Sequence, residues 1–232
     1  DKRAVAFSGF IANKLELLKH FRLSEANDAQ LFAHIWNEEG SDALSLIYGQ
    51  FAYVMANSHT GELHYGSSLD GTVPLFRSER FEPTQWVASE IRQLRSLAGC
   101  GEQLDHEGLV HTLLFDEIPD DHATPYKGIV RCSAGEVVEQ TYRPRTMAVH
   151  LSRPWQIPAH NSLPDEDWRE YFATTFSEVV QQYGFSQSVG LFLSGGLDSA
   201  SLWAELQLAR QNDAPTLRAI SLVYPNMEND ES

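Results

Sequence analysis

The hexapeptide Ser194-Gly195-Gly196-Leu197-Asp198-Ser199 constrains the fold more than any other stretch of this chain. It follows a continuous apolar run, Val189 to Leu193, and precedes a helical pattern through Arg210, after which Leu217 to Tyr224 forms a second apolar run. Continuous apolar runs are the pattern of parallel strands buried on both faces. Strand, helix and strand in that order make one right-handed crossover unit. The turn between first strand and helix is where backbone N–H groups and the helix dipole converge on an anion. Two adjacent glycines let the main chain approach phosphate oxygens without a Cβ in the way. Ser194 and Ser199 add hydroxyl donors. Asp198 repels a phosphate directly, but a carboxylate beside a polyphosphate suits Mg²⁺, which takes oxygen ligands and bridges to phosphates. A bare Gly-Gly pair would serve equally well as a connecting turn; the whole hexapeptide in this setting reads as a pyrophosphate cradle with a metal ligand built in. Neither GxxxxGK[ST] nor GxGxxG is present, which disfavours kinase-type transfer and a dinucleotide turn.

Upstream, short strands mix with amphipathic helices. The apolar run Ala4 to Phe7 reads as a strand broken at Ser8-Gly9, and Leu31, Phe32, Ile35 and Trp36 recur at helical spacing after a cap at Asn27 or Asp28. A short helix from Ser41 to Gly49, a strand over Gln50 to Ala56, a turn at Asn57 to Gly61 and a hairpin partner at Leu63 to Gly66 follow. Val73 to Phe76 with Trp86 to Ala88 reads as another strand pair, Asp105 to Phe115 as a helix, and Ile129 to Val138 as a hairpin broken at Ser133-Ala134-Gly135. This is an α+β layer arrangement. Prolines 144, 154, 158 and 164 mark a linker at 151–164 between a first domain, 1–150, and a second, 165–232. The second opens with a helix at Pro164-Asp165 whose Trp168, Phe172, Phe176, Val179 and Val180 share a face and which stops at Gly184. One crossover is too few to cover both faces of a doubly wound sheet, so a fragment of a longer protein is expected.

With 17 Lys and Arg against 32 Asp and Glu, the formal charge of −15 argues against sequence-independent binding of nucleic acid, short of a local basic patch. No apolar stretch approaches the roughly 20 residues of a membrane span, and residues 1–10 lack the core of a signal peptide, so a cytoplasmic protein is expected. Cys100 and Cys132 have no metal-ligand spacing and read as ordinary thiols; the nine histidines lack HxxxH or HExxH spacing. Acidic clusters at 116–121 and 165–167 read as solvated faces or helix starts.

FLSGGLDSASL resembles the pyrophosphate loop of the N-type ATP pyrophosphatases, which cleave ATP between the α and β phosphates and adenylate a substrate. The first half is similar to the glutaminase-type domain of the asparagine synthetase family: SGFIAN (8–13) matches NGEIYN, YGQFA (48–52) the GMFAF-like strand, 69–76 RDxxGxxPLY, and WVASE (86–90) YVASE. The resemblance implies an Ntn-hydrolase-type α+β sandwich followed by the start of an α/β adenine nucleotide alpha hydrolase-like domain. It further implies that Leu193, Ser194, Gly195, Gly196, Leu197, Asp198 and Ser199 bind ATP, that Asp198 holds Mg²⁺, and that Val223 at the end of the second strand borders the adenosine, unless it is simply core. The catalytic lysine and second metal carboxylate are expected after Ser232. Glu228, Asp230 and Glu231 follow that strand on the active side of such a sheet.

Departures from the family pattern set the choice of chemistry. A working glutaminase carries an N-terminal cysteine whose own amine acts as base, and residue 1 here is Asp, with the segment before SGFIAN expected to lie upstream. Ser8 stands where the family's Asn supplies an oxyanion donor; RD becomes Leu69-Asp70; and the GSDxE segment that grips the glutamine amine is reduced to 26–29, where Asp28 either fills the aspartate's place or caps a helix. A degraded glutaminase pocket directs the expectation to the lasso peptide cyclase and β-lactam synthetase branch. There a carboxylate of a peptide or amino-acid-derived substrate is adenylated and an amine of the same substrate closes a macrolactam. The 222–232 segment resembles the cyclase-like proteins, and a leader-peptide protease would be a partner. Glutamine-dependent asparagine synthetase, β-lactam synthetase, and a scaffold with a vestigial nucleotide site are the alternatives.

Overall fold

The computed structural model describes residues 3–79, 85–97, 100–115, 122–143, 146–152, 165–183, 188–209 and 216–223. It divides into two compact units, Asp1–Ile157 and Pro158–Ser232. In the first, the strand written most clearly in the sequence organises everything around it. β2 (Gly49–Asn57) alternates Phe51, Tyr53 and Met55 with Ala52 and Val54, and each set enters a different core. β1 (Arg3–Ile11) and β3 (Glu62–Ser67) pair with it antiparallel, Phe7 opposite Tyr53 and Val54 opposite Tyr65. β7 (Val137–Arg143) and β8 (Thr146–Ser152) complete a five-stranded sheet of order β1-β2-β3-β7-β8.

The bulky set of β2 faces helices. α1 (Lys14–His20), α2 (Asp28–Glu39) and α3 (Ala43–Leu46) bury Leu17, Leu31, Phe32, Ile35, Trp36 and Leu44 against Phe51, Tyr53 and Met55. Rings dominate this layer: Phe32 lies 4.7 Å from Tyr53, and Phe7 stacks on Phe51 at 5.4 Å. The slim set faces a second sheet of order β5-β4-β6, made by β4 (Phe76–Ser78), β5 (Val87–Ala88) and β6 (Ile129–Arg131), with Tyr65, Leu75, Cys132 and Val138 filling the space between. Beyond it, α4 (Ile91–Arg95) buries Leu94 with Cys100 and Ile129. The unit is therefore layered helix, sheet, sheet, helix, which refines the expected α+β sandwich. α5 (His106–Phe115) carries Leu113 and Leu114 exposed.

Three expectations are corrected here. Gly9 does not break β1, which runs on to Ile11. Ile129 to Val138 is not a hairpin, because β6 belongs to one sheet and β7 to the other; the turn at 133–136, closed by the Glu136 N–H on the Ser133 carbonyl at 3.0 Å, carries the chain between layers. The helix α1 and the strand β8 were not anticipated, and β8 extends to Ser152 inside the segment read as linker; 153–164 lie outside the described residues.

The second unit holds α6 (Asp165–Gln182), β9 (Val189–Phe192), α7 (Leu197–Leu208) and β10 (Leu217–Ile220). β9 and β10 pair in parallel, Leu191 opposite Ala219, as the crossover reading requires. The strands are not buried on both faces as expected: Phe192 is 81% and Ile220 50% exposed, because among the described residues α7 covers one side of a two-stranded sheet. In α6 the anticipated apolar face is only partly covered, with Val180 buried, Phe172 exposed and stacked on Phe176 at 5.7 Å.

Candidate functional site

The 193–199 loop leaves β9 as a strand end pinned from the neighbouring strand. The Leu193 N–H donates to the Ile220 carbonyl at 2.9 Å, and the Ser221 hydroxyl donates to the Leu193 carbonyl at 2.8 Å. Gly195 adopts φ +83°, a left-handed conformation that costs any residue with a Cβ about 1 kcal/mol or more. Gly196 then occupies the N-cap of α7 in extended conformation with no side-chain cap. The amides of Leu197, Asp198 and Ser199 hold the first three helical positions, where helix geometry supplies no acceptor.

The two serines close the loop on itself. Ser199 Oγ accepts from the Ser194 N–H at 3.3 Å and donates to the Gly196 carbonyl at 3.2 Å; the two hydroxyls are 3.2 Å apart, and the Gly196 N–H reaches Ser194 Oγ at 3.4 Å. All of 194–198 are exposed, Leu197 at 82%. The hydroxyls and amides thus converge at an open helix N-terminus of twelve residues, a geometry suited to an anion. Val223 lies beyond the end of β10 and is 47% exposed, so it is not core. Tyr224, Glu228, Asp230 and Glu231 lie outside the described residues.

For Mg²⁺ the fit rests on one group. Asp198 is an exposed carboxylate in the first turn of α7, a hard oxygen donor beside the 194–196 turn. No cluster of three His, Cys, Asp or Glu occurs among the described residues.

In the first unit the glutaminase-like matches at 8–13 and 48–52 meet on paired β1 and β2, while those at 69–76 and 86–90 reach β4 and β5 of the second sheet. Gly9 takes φ +106° with its Cα against the Gln50 carbonyl; a Cβ built there would sit 2.0 Å from that oxygen. Ser8 beside it is exposed and opposite Ala52. Asn13, 5% exposed, bridges two segments, donating to the Leu46 carbonyl at 2.9 Å and accepting from the Tyr48 N–H at 3.0 Å. Asp28 is not the helix cap. Asn27 is, in a capping box with Gln30. The Asp28 carboxylate instead accepts from the Ile11 N–H at 3.2 Å and holds the Lys14 ammonium at 2.8 Å. Lys14 was not singled out by sequence, because it lies fourteen residues from Asp28 on a separate helix and no local period links them.

Asp70 accepts from the hydroxyls of Ser68 and Thr72, each at 2.6 Å, which ties the loop after β3. Burial pushes its carboxyl upward, but hydrogen bonds from Ser68, Thr72 and Gln50 outweigh that and hold it below its ordinary value. Leu69, where the family has Arg, is 47% exposed. Both cysteines are free and buried, and burial pushes the Cys132 thiol up to about 12, with Glu136 adding in the same direction, which disfavours the thiolate.

No helix among the described residues is long and apolar enough to cross a membrane. A model of the glutamine amidotransferase domain matches residues 1–150. The putative asparagine synthetase [glutamine-hydrolyzing] of Mycobacterium tuberculosis (strain ATCC 25618 / H37Rv) is 26% identical over 216 residues, which cover 88% of this chain and 33% of that protein. Asparagine synthetase [glutamine-hydrolyzing] 2 of Bacillus subtilis (strain 168) is 28% identical over 214 residues, 85% of this chain and 28% of that one. Among solved structures, the glutamine phosphoribosylpyrophosphate amidotransferase of B. subtilis complexed with ADP and GMP matches 94% of this chain and 45% of its own at 15% identity, with a TM-score of 0.42. The chain thus spans about a third of the length of the curated relatives it matches.

Proposed function

The chain belongs to the glutamine amidotransferase domain family, and from that premise we propose that it works within an ATP-dependent ligase that adenylates a carboxylate and joins it to an amine. The observation that carries this reading is the 193–199 loop, with its left-handed Gly195, its three unpaired-by-geometry amides at the start of α7 and its two converging hydroxyls. The β and γ phosphates of ATP would lie against the amides of 197–199, with Ser194 and Ser199 exchanging their mutual hydrogen bonds for phosphate oxygens. Asp198 would hold Mg²⁺, which when bound neutralises phosphate charge. A substrate carboxylate oxygen then bonds to the α-phosphorus as the bond to the bridging oxygen breaks and pyrophosphate leaves. An amine attacks the acyl carbon, loses its proton, and AMP departs with the electron pair of the cleaved acyl–oxygen bond.

The amine is proposed to come from the substrate itself, closing a macrolactam, with the first unit acting as a scaffold. Support comes from the sheet end where glutamine chemistry would be carried out. Ser8 replaces the family's Asn, Leu69 replaces its Arg, and the Asp28 carboxylate is already engaged by Lys14 and the Ile11 amide. Ring closure from two ends of one bound substrate replaces a bimolecular encounter and supplies roughly 7 kcal/mol or more of the barrier.

The test measures AMP and pyrophosphate from ATP with candidate precursor peptides, in the full-length protein, with and without glutamine. Peptide-dependent AMP formation that ignores glutamine is expected. Asp198→Ala should lower it by at least about 100-fold, a loss of roughly 3 kcal/mol in transition-state stabilisation, while the melting temperature stays within a few degrees because the residue is exposed. Glutamine-dependent turnover of free aspartate would replace the macrolactam reading with asparagine synthesis. Undiminished AMP formation in Asp198→Ala would remove the metal role.

A further inference from the structure

A side chain outside the glycine-serine motif reaches the 193–199 loop from the neighbouring strand. In the parallel ladder Val189 pairs with Leu217 and Phe192 with Ile220, so the same register carried one step further sets Leu193 against Ser221. The ladder is regular up to that step: the Val189 N–H donates to the Thr216 carbonyl at 3.0 Å and the Leu193 N–H to the Ile220 carbonyl at 2.9 Å. Evenly spaced parallel pairing makes the Leu222 N–H the next donor, to the Leu193 carbonyl. The Ser221 hydroxyl donates to that carbonyl instead, at 2.8 Å.

The exchange of a main-chain rung for a side chain decides where the loop begins. A rung at Leu193 would draw the chain along β10 and carry the sheet into the motif. A hydroxyl satisfies the same acceptor while the chain turns away, so Gly195 reaches its left-handed conformation and Gly196 starts α7. The Ser194 N–H then donates to Ser199 Oγ at 3.3 Å. Hydrogen bonds within 194–199 travel with the loop, whereas the two at Leu193, from its own N–H to Ile220 and from Ser221 to its carbonyl, refer the loop to the second strand.

We propose that Ser221 is a positioning residue for the phosphates. Acting through Leu193, its hydroxyl sets where the 194–199 turn stands relative to the ends of β9 and β10, and so sets the affinity for the phosphate end of the ligand. This role rests on the nucleotide reading of that turn.

The test is calorimetry on the full-length protein with magnesium ATP and with magnesium pyrophosphate, comparing the parent with Ser221→Ala and Ser221→Thr. Ser221→Ala should weaken both ligands to the same degree, roughly fivefold, as the loss of one hydrogen bond open to water implies. Threonine keeps the hydroxyl and should restore the affinity. Melting temperatures should agree within a few degrees, because Ser221 is exposed. Unaltered affinities in Ser221→Ala, a loss confined to ATP, or failure of threonine to restore binding would each overturn the positioning role while leaving the nucleotide reading in place. Absence of binding of either ligand by the parent removes that reading, and the positioning role with it.

Discussion

At the residue scale the cores explain more than the functional residues do. Tyr53 is 1% exposed, wedged among Phe32, Trp36 and Phe51, and its hydroxyl is buried without a hydrogen-bond partner. Burial drives its ionisation far above the ordinary range, so it remains neutral. Removing an unsatisfied hydroxyl of the same shape removes a desolvation cost, so Tyr53→Phe should stabilise the fold by about 1 kcal/mol, read as a higher denaturant midpoint at unchanged slope. Asp70 behaves oppositely. Its carboxyl is held below the ordinary value, so its ionised form stabilises the fold above the usual carboxylate range and that contribution is lost as pH falls through the depressed value. Asp70→Asn should therefore cost at most about 1 kcal/mol near neutral pH, since solvent screens this exposed residue, and converge with the parent in acid, below the depressed value; a difference that persists in acid would mean the carboxylate's charge is not the source. The sequence showed Asp70 and Asp28 as candidates because their neighbours match a pattern. It could not show their partners, since Lys14 on Asp28 and Gln50 on Asp70 are brought near by the sheet rather than by spacing along the chain.

Among the elements, those with their own period and caps were legible. α2 declares itself through Leu31, Phe32, Ile35 and Trp36 and through the Asn27–Gln30 box. Asn27→Ala should lower stability by about 1 kcal/mol through loss of that cap, whereas Asp28→Asn should leave the cap intact and instead release Lys14; thermal unfolding of the two variants separates the roles. β2 and β3 were legible for the same reason, a period of two bounded by a turn at 57–61. What failed was assignment of partners. Ile129 to Val138 looks like one hairpin broken at Ser133-Ala134-Gly135, yet β6 and β7 belong to different sheets, and Cys132, just past β6, and Val138 of β7 share one core. A turn such as 133–136 has the same local chemistry whether it reverses a chain within a sheet or lifts it into the next layer. The apolar runs of β9 and β10 suggested burial on both faces, and the described residues cover only one. The turn between β9 and α7 was legible at Ser194-Gly195-Gly196, because a strand end, a glycine pair and a helix start are local signals.

For the whole molecule, the net charge of −15 governs approach to any polyanion. On the proposed reading ATP would reach the 193–199 loop against a repulsive field, and mobile ions weaken that field over about 10 Å at 0.1 M salt. The rate of nucleotide association should therefore rise several-fold between about 0.01 M and 0.15 M salt at fixed magnesium, opposite in sign to a basic nucleotide-binding protein; stopped-flow measurement of binding gives the slope directly. A falling rate would require a local positive field at 193–199 strong enough to cancel the total.

The position of β2 between two filled layers also sets how the gene can change length. Phe51, Tyr53 and Met55 fit only the helical side, and Ala52 and Val54 only the narrow gap to the second sheet. Loss or gain of one codon within 51–55 would exchange the two sets, driving rings into space sized for a methyl and leaving voids where the rings had been. The same event at His59 or Thr60, in the turn to β3, would lengthen or shorten an exposed connection and nothing more.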